Sequence, residues 1–380
     1  MSKKSIPFNK PYMTGKELEY ISQCHLNAQL SGDGPFTKKC HKWLEDELKV
    51  KKALLTHSCT AALEMTVILM NLKEGDEVIM PSFTFVSTAN AFVLRGIIPV
   101  FVDIRPDTLN IDEKKIECAI TDKTKAIVVV HYAGVVCEMN VISEIAHRHN
   151  LYLIEDAAQA ALSMYEGKPA GSLGDMSTLS FHETKNIISG EGGALLINKD
   201  EFNERAQIIR EKGTNRTQFF EGKVDKYSWV DIGSSYLPGE LIAAYLWAQL
   251  ENCREMTDKR ISAWNFYHKE IERFEIKELL TRPFIPENCE SNAHCYYIIV
   301  DSEKKRNTLL SKFNDNGINA VFHYIPLHSS IAGRKYSRSH GGLTQTEKMS
   351  SQLIRLPIWN GIKKHEQERV LEVLEQIIEN

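Results

Sequence analysis

Residues 151–160 read LYLIEDAAQA, a mostly apolar run that ends in Asp156 and is followed by Ala157, Ala158 and Gln159. An apolar segment this short, closed by small residues, predicts a buried strand of a parallel sheet with Asp156 and Gln159 at its end. Side chains alternate along a strand, so Glu155 is expected on the side opposite Asp156. Taken singly, an acid after a strand is more often a helix cap, and a glutamine three residues on a turn stabiliser.

Outward from this run the chain alternates. KALLTHS, EVIMP, PVFVDI and AIVVVHYAG predict strands, TLSFH and GALLIN a strand pair, and helices are expected near 36–48, 60–71, through VSTANAFVLRG, and near 139–149. Such alternation argues for an α/β fold with a mostly parallel sheet covered on both faces, where ligand chemistry collects at the C-terminal strand ends. THSCTAA, EDAAQ and SFHETK all lie at strand ends. Residues 1 to about 35, rich in Gly, Pro and polar side chains, read as an arm that wraps over another part of the fold. From about 240 a long helical stretch leads into a smaller segment with CYYIIV, INAVFHYIPLH and a C-terminal helix. The expected division is 1–248, an arm and a large domain, and 249–380, a small α+β domain.

A chain of 380 residues that is 43% hydrophobic can bury a large core. Lys+Arg 46 against Asp+Glu 50, a formal charge of −4, gives no overall basic field for nucleic acid and no polybasic tail for a lipid surface. The eight cysteines form no C-x-x-C pair and no zinc-like spacing, so free thiols are expected and no metal site is; His294 beside Cys295 reads as packing. MSKKSIPFNK lacks the apolar core of a signal peptide, and no run is long enough to span a membrane. A cytoplasmic protein is the expectation.

Ser58-Cys59-Thr60-Ala61-Ala62-Leu63 is a strand end that opens into a helix, where backbone N–H groups and the positive helix terminus suit an anion; an ordinary N-cap by Ser58 or Thr60 is the plainer reading. In SFHETKNIISGEGG (180–193), Lys185 follows an aromatic strand end and precedes Gly190, Gly192 and Gly193, which permit a tight return. Ser180 could donate to a phosphate. Phe83 and Phe85 flank Thr84, and one of the rings could stack on a flat heterocycle while the other packs in the core; core packing of both is the plainer reading. An amine and a carboxylate brought together by such a fold are what pyridoxal phosphate requires, the amine to hold its aldehyde and Asp156 to hold its ring nitrogen, with Gln159 on the ring oxygen.

Taken together, SCTAALE, EVIMPSFTFVSTANAFVLRG, PVFVDI, VVHYAG, IEDAAQA, GSLGDMSTLSFHETKN, GEGGALL, FHYIPLH and RLPIWN resemble, in order, the DegT/DnrJ/StrS family of nucleotide-sugar aminotransferases that use pyridoxal 5'-phosphate. The resemblance implies a fold-type I aminotransferase with a seven-stranded, mostly parallel sheet, acting as a homodimer with shared sites. It implies that Lys185 binds the cofactor covalently, Asp156 and Gln159 hold its ring, Phe85 stacks on it, and Ser180 with the backbone at Thr60 and Ala61 holds its phosphate. Where most of the family has G-Y-N-x-R, this chain reads Gly233-Ser234-Ser235-Tyr236-Leu237, so Ser235 stands where an asparagine would reach the partner's phosphate.

The stretch 210–251, REKGTNRTQFFEGKVDKYSWVDIGSSYLPGELIAAYLWAQLE, resembles the branch of the family that makes dTDP-4-amino-4,6-dideoxygalactose for enterobacterial common antigen. That similarity implies a dTDP-sugar and L-glutamate as substrates. The gluco product, dTDP-viosamine, stays open, as does a cofactor-binding sensor without activity. Relatives that dehydrate sugars carry a histidine in place of Lys185, and no G-x-G-x-x-G follows an early strand to support nicotinamide. Arg210, Lys212, Asn215 and Arg216 could read the pyrophosphate, or form a solvated helix end. His323, Tyr324 and His328 could border the sugar, or the edge of the core.

Overall fold

The computed structural model describes residues 5–378. The first four residues of the leader reading lie outside them. Thirteen strands occur among the described residues: β1 (Lys52–Thr56), β2 (Glu77–Pro81), β3 (Ile98–Val102), β4 (Thr124–Val130), β5 (Tyr152–Asp156), β6 (Met164–Tyr165), β7 (Lys168–Pro169), β8 (Met176–Ser180), β9 (Gly193–Ile197), β10 (Cys289–Glu290), β11 (Tyr296–Ile299), β12 (Arg338–Ser339) and β13 (Leu353–Leu356). The main sheet runs β1-β9-β8-β5-β4-β2-β3-β12, with β9 alone antiparallel to its neighbours. The expected seven strands are there, and β12 adds an eighth at the edge. Two residues carry no periodicity that could reveal such a strand. It is held instead by the Arg338 guanidinium on Glu77 (2.7 and 2.6 Å) and by the His340 N–H on Phe101 O.

The sheet is buried on both faces, and strand alternation divides its side chains between two cores. Leu55, Ile79, Val102, Ile127, Val129, Leu153 and Leu196 pack with the helices Pro35–Leu48, Met139–Arg148 and Glu240–Leu250. Leu54, Val78, Met80, Val128, Ile154 and Leu195 face the helices Cys59–Leu69, Val86–Val93 and Asn203–Arg210. A third core surrounds Trp264, Tyr267, Tyr296, Ile298, Leu356 and Leu374, built from β11, β13 and the helices Cys253–Ile276 and Lys364–Ile378.

Two elements differ from the expectation. The arm contains the helix Glu17–Leu26, whose apolar residues form no stripe: Leu18 and Leu26 are exposed while Glu17 and Cys24 are buried. Periodicity cannot find such a helix; the Glu17 carboxylate starts it by accepting from the N–H groups of Thr14 and Gly15. The long helical stretch from 240 breaks at Glu251–Asn252 into two helices, and the expected division near 248 falls just before that break. Ahead of its helix the arm crosses the C-terminal part, where Ile6 pairs with Gly317 and Asn319 and Phe8 O accepts from the Ile358 N–H.

At the end of β5, Glu155 and Asp156 do point to opposite sides. Glu155 is fully buried and accepts from the N–H groups of Leu173 and Gly174 on one oxygen, and from Gly171 N–H and His131 Nε2 on the other, all within 2.6–2.9 Å. The Cys137 N–H occupies His131 Nδ1, which fixes the ring with its proton on Nε2. Every position around Glu155 thus presents a donor. Glu155→Gln sets an NH2 against two of them and is expected to lower stability by about 2–4 kcal/mol in a urea titration, with earlier proteolysis at 171–174. Unchanged stability would show that this network holds nothing.

Candidate active site

A cavity of about 970 Å³ opens at the C-terminal ends of β4, β5 and β8, lined by Ser58, Thr60, Phe85, Asp156, Gln159, Ser180, Lys185 and Gly192 among others. Its far wall comes from the C-terminal part, with His294, Cys295, His323, Tyr324 and Arg355. A second hollow, about 650 Å³, lies at the opposite strand ends near Asp76, Lys125 and Tyr152 and holds none of the expected residues.

Lys185 sits on the loop that joins the antiparallel strands β8 and β9. Phe181 N–H to Gly192 O, Glu183 N–H to Gly190 O and Lys185 N–H to His182 O tie that loop into a closed hairpin. Gly190 takes φ +81°, and a Cβ on Gly193 would stand 2.4 Å from Cys59 N. Only glycine lets β9 pass so close to the start of the helix Cys59–Leu69. Burial pushes the Lys185 amine below its ordinary value of 10.5 and Arg355 adds to this, against the pull of Cys59 and Asp156.

The Asp156 carboxylate is buried and accepts from Thr88 Oγ1 at 2.7 Å and from Ala158 N–H at 3.2 Å. Thr84 Oγ1 lies 2.8 Å from that of Thr88. Burial pushes Asp156 upward, Thr88 and Ala158 oppose it, and among the described residues no cation stands within ion-pair distance. A buried carboxylate with hydrogen bonds but no countercharge is suited to a ligand that brings the cation.

At the other end of the cavity, Ser58 caps its helix by accepting from Ala61 N–H, and Thr60 Oγ1 bonds Ser87 Oγ at 2.7 Å. Ala61 is buried behind them, outside the lining. A helix leaves its first N–H groups without internal acceptors, so this end, with Ser180, is a donor set for an oxyanion. The two phenylalanines divide as expected: Phe83 is 1% exposed in the core, and Phe85, 58% exposed, lines the cavity. Gln159 Oε1 accepts from Ala133 N–H, while its Nε2 donates to Tyr324 Oη at 2.7 Å, leaving one amide hydrogen for a ligand. Tyr324 stacks on His323, whose Nδ1 meets Tyr132 Oη at 2.8 Å.

Other expected residues lie elsewhere. His328 is outside the lining, between Ser82 and Glu347. Arg210 is buried against Asp33 and the Leu55 carbonyl, and Lys212 pairs with Glu211. Asn215 accepts from the Ser228 N–H, and Arg216 covers the Phe220 ring. Ser235 bridges to Glu211 on the same lobe, away from this chain's cavity. His294 is buried with Nδ1 near Asn186 Oδ1. Sequence reasoning missed Thr88, which lies one helical turn beyond Thr84, and it missed Arg355 inside the quoted RLPIWN.

The family model for DegT/DnrJ/EryC1/StrS aminotransferases matches residues 11–375. The chain belongs to this family. It is 32% identical over 375 residues to GDP-perosamine synthase of Caulobacter vibrioides, with 97% of each chain covered. Among solved structures, the aminotransferase TlmJ of Streptoalloteichus hindustanus superposes with TM-score 0.90 at 26% identity, covering 98% of this chain and 99% of that one. Helicobacter pylori PseC, an aminotransferase involved in the biosynthesis of pseudoaminic acid, gives 0.90 at 26%, covering 99% and 100%. The protein is a pyridoxal-phosphate-dependent sugar aminotransferase of fold-type I. The cavity fits that cofactor: an oxyanion-binding end, a buried carboxylate in want of a cation, and an amine between them.

Because the Lys185 amine loses its proton below 10.5, it should react at pH values where exposed lysines are still protonated. In cofactor-stripped protein at about pH 8.5, a small acylating reagent is expected to label Lys185 ahead of exposed Lys42 and Lys364 by peptide mass mapping. Labelling in order of exposure alone would contradict the depressed value.

Proposed function

We propose that the chain moves the amino group of L-glutamate to C4 of dTDP-4-oxo-6-deoxy-D-glucose, giving dTDP-4-amino-4,6-dideoxy-D-galactose and 2-oxoglutarate. The observation that carries the transamination is the enclosure of Lys185, Asp156, Gln159 and a hydroxyl-rich helix start in one cavity. The choice of sugar is supported by the stretch 210–251, with its resemblance to the dTDP-4-amino-4,6-dideoxygalactose branch.

When bound, pyridoxal phosphate would supply an aldehyde to carry the amino group and a ring that serves as an electron sink. Lys185 would hold it covalently, and the free Nζ of Lys185 would take the donor's α-proton. In the second half of the reaction the same Nζ delivers a proton to C4 of the sugar and so fixes the configuration there. Asp156, held by Thr88 and Ala158, keeps the ring nitrogen protonated. Gln159 would take the ring oxygen and Phe85 would cover the ring. Ser180 and the helix start at Thr60 would hold the phosphate, while the Ala61 N–H is taken by Ser58 Oγ.

The lobe 210–236 is assigned to the partner subunit's site in a cytoplasmic homodimer, where Lys212, Asn215, Arg216 and Ser235 would meet nucleotide or phosphate, while buried Arg210 anchors the lobe. Its exposed Phe220, Trp229, Val230 and Ile232 support such a contact. His323 and Tyr324 face the sugar.

Incubation with glutamate and the dTDP-linked keto sugar, followed by NMR of the product, is expected to show a small H3–H4 coupling, the mark of an axial amine. A large coupling would give the gluco product, and no product would overturn the assignment. Lys185→Ala should lose more than the roughly 10²–10⁴-fold that acid–base help alone supplies. Near-normal turnover would remove Lys185 from the mechanism.

A further inference from the structure

Two guanidinium groups line the cofactor cavity, and among the described residues neither has an acidic partner within ion-pair distance. They differ in what their N–H groups already do. Arg260 is buried and engaged: its Nε donates to Ala293 O at 2.8 Å and its Nη2 to His294 O at 2.5 Å, so it props the backbone that enters β11. Arg355 is half-buried, and its Nε is buried without any hydrogen-bond partner. Among the described residues its side chain makes one hydrogen bond, a long one, 3.4 Å from Nη2 to Phe322 O. The guanidinium plane lies over the Phe8 ring of the arm, 4.5 Å from its centre, which leaves the N–H edge for another group.

The backbone of Arg355 is held firmly. It pairs with Tyr297 across β11 on one side and exchanges both hydrogen bonds with Val321 on the other. The side chain is thus presented from a rigid rung, on the wall of the cavity that also holds Lys185. A guanidinium with a free edge is matched by a carboxylate, which can accept two parallel N–H bonds. Of the two substrates that visit this cavity in turn, only the amino-acid donor carries a carboxylate. The phosphate of the cofactor is served by the opposite end, at Ser58, Thr60 and Ser180.

We propose that Arg355 is the residue that holds a carboxylate of the amino donor, setting the donor's Cα against Lys185 and selecting amino acids over uncharged amines. This rests on the transaminase reading above. It also gives Phe8 a positioning role: the arm keeps the guanidinium edge turned into the cavity.

The test uses the holoenzyme and separates the two halves of the reaction. Arg355→Met and Arg355→Lys are each mixed with glutamate in the cofactor's aldehyde form, and with the keto sugar in its aminated form, and followed by cofactor absorbance. Glutarate binding to the aldehyde form is measured alongside by calorimetry. Loss of two charge-assisted bonds should raise the half-saturating glutamate concentration roughly 10- to 100-fold and abolish glutarate binding in Arg355→Met. Arg355→Lys should recover part of both, and the sugar half should keep its concentration dependence. Impairment of the sugar half with the glutamate half intact would assign Arg355 to the nucleotide diphosphate and overturn the proposal. So would weaker cofactor binding with both halves equally reduced, or no change in either. If the unaltered enzyme bound glutarate through Arg355 but formed no product from glutamate, the proposed function would fail while the carboxylate site stood.

Discussion

The structure depends on a carboxylate that the fold buries without a countercharge. Asp156 ends a central strand, takes one hydroxyl and one backbone N–H, and has no cation within ion-pair reach among the described residues. Isolated burial of this kind costs several kcal/mol unless something supplies the missing charge. A cofactor whose ring nitrogen is protonated supplies it. Under the proposed function, Asp156 would contribute to cofactor binding by pairing with that charge.

The neighbouring position shows why the strand can carry this demand. Glu155 faces the other way and is satisfied by three backbone N–H groups and a histidine whose tautomer is fixed. One strand end thus places two acids in opposite services, the first closing the loop 171–174 and the second left open for a ligand. Lys185 is poised by the same low-dielectric surroundings, which disfavour its charged form as they disfavour that of Asp156. Amine and acid remain within electrostatic reach of each other without forming an ion pair.

Much of this was legible in the residues. EVIMP became β2 with the same bounds, and of the two aromatics after it Phe83 is buried and Phe85 exposed. Asp156 and Ser180 end strands, Thr60 is in the first turn of a helix, and Gln159 and Lys185 lie on the loops that follow β5 and β8, so all five meet in one cavity at the C-terminal strand ends. What stayed hidden had no local signal. The helix Glu17–Leu26 has no apolar stripe, and β12 is too short to show a period. Thr88 becomes a partner of Asp156 only after two βα units have packed side by side. Arg210 looks like a loop cation in sequence, yet Asp33, far away in the chain, draws it inward. Arg355 alternates outward from an apolar strand, so its meaning depends on which wall that strand forms.

The most direct test of the account is to reduce the holoenzyme with borohydride and map the labelled peptide by mass spectrometry. The account predicts a single pyridoxyl adduct on Lys185, within the peptide that spans the β8–β9 loop. An adduct on another lysine, or none in protein that retains its cofactor, would contradict it.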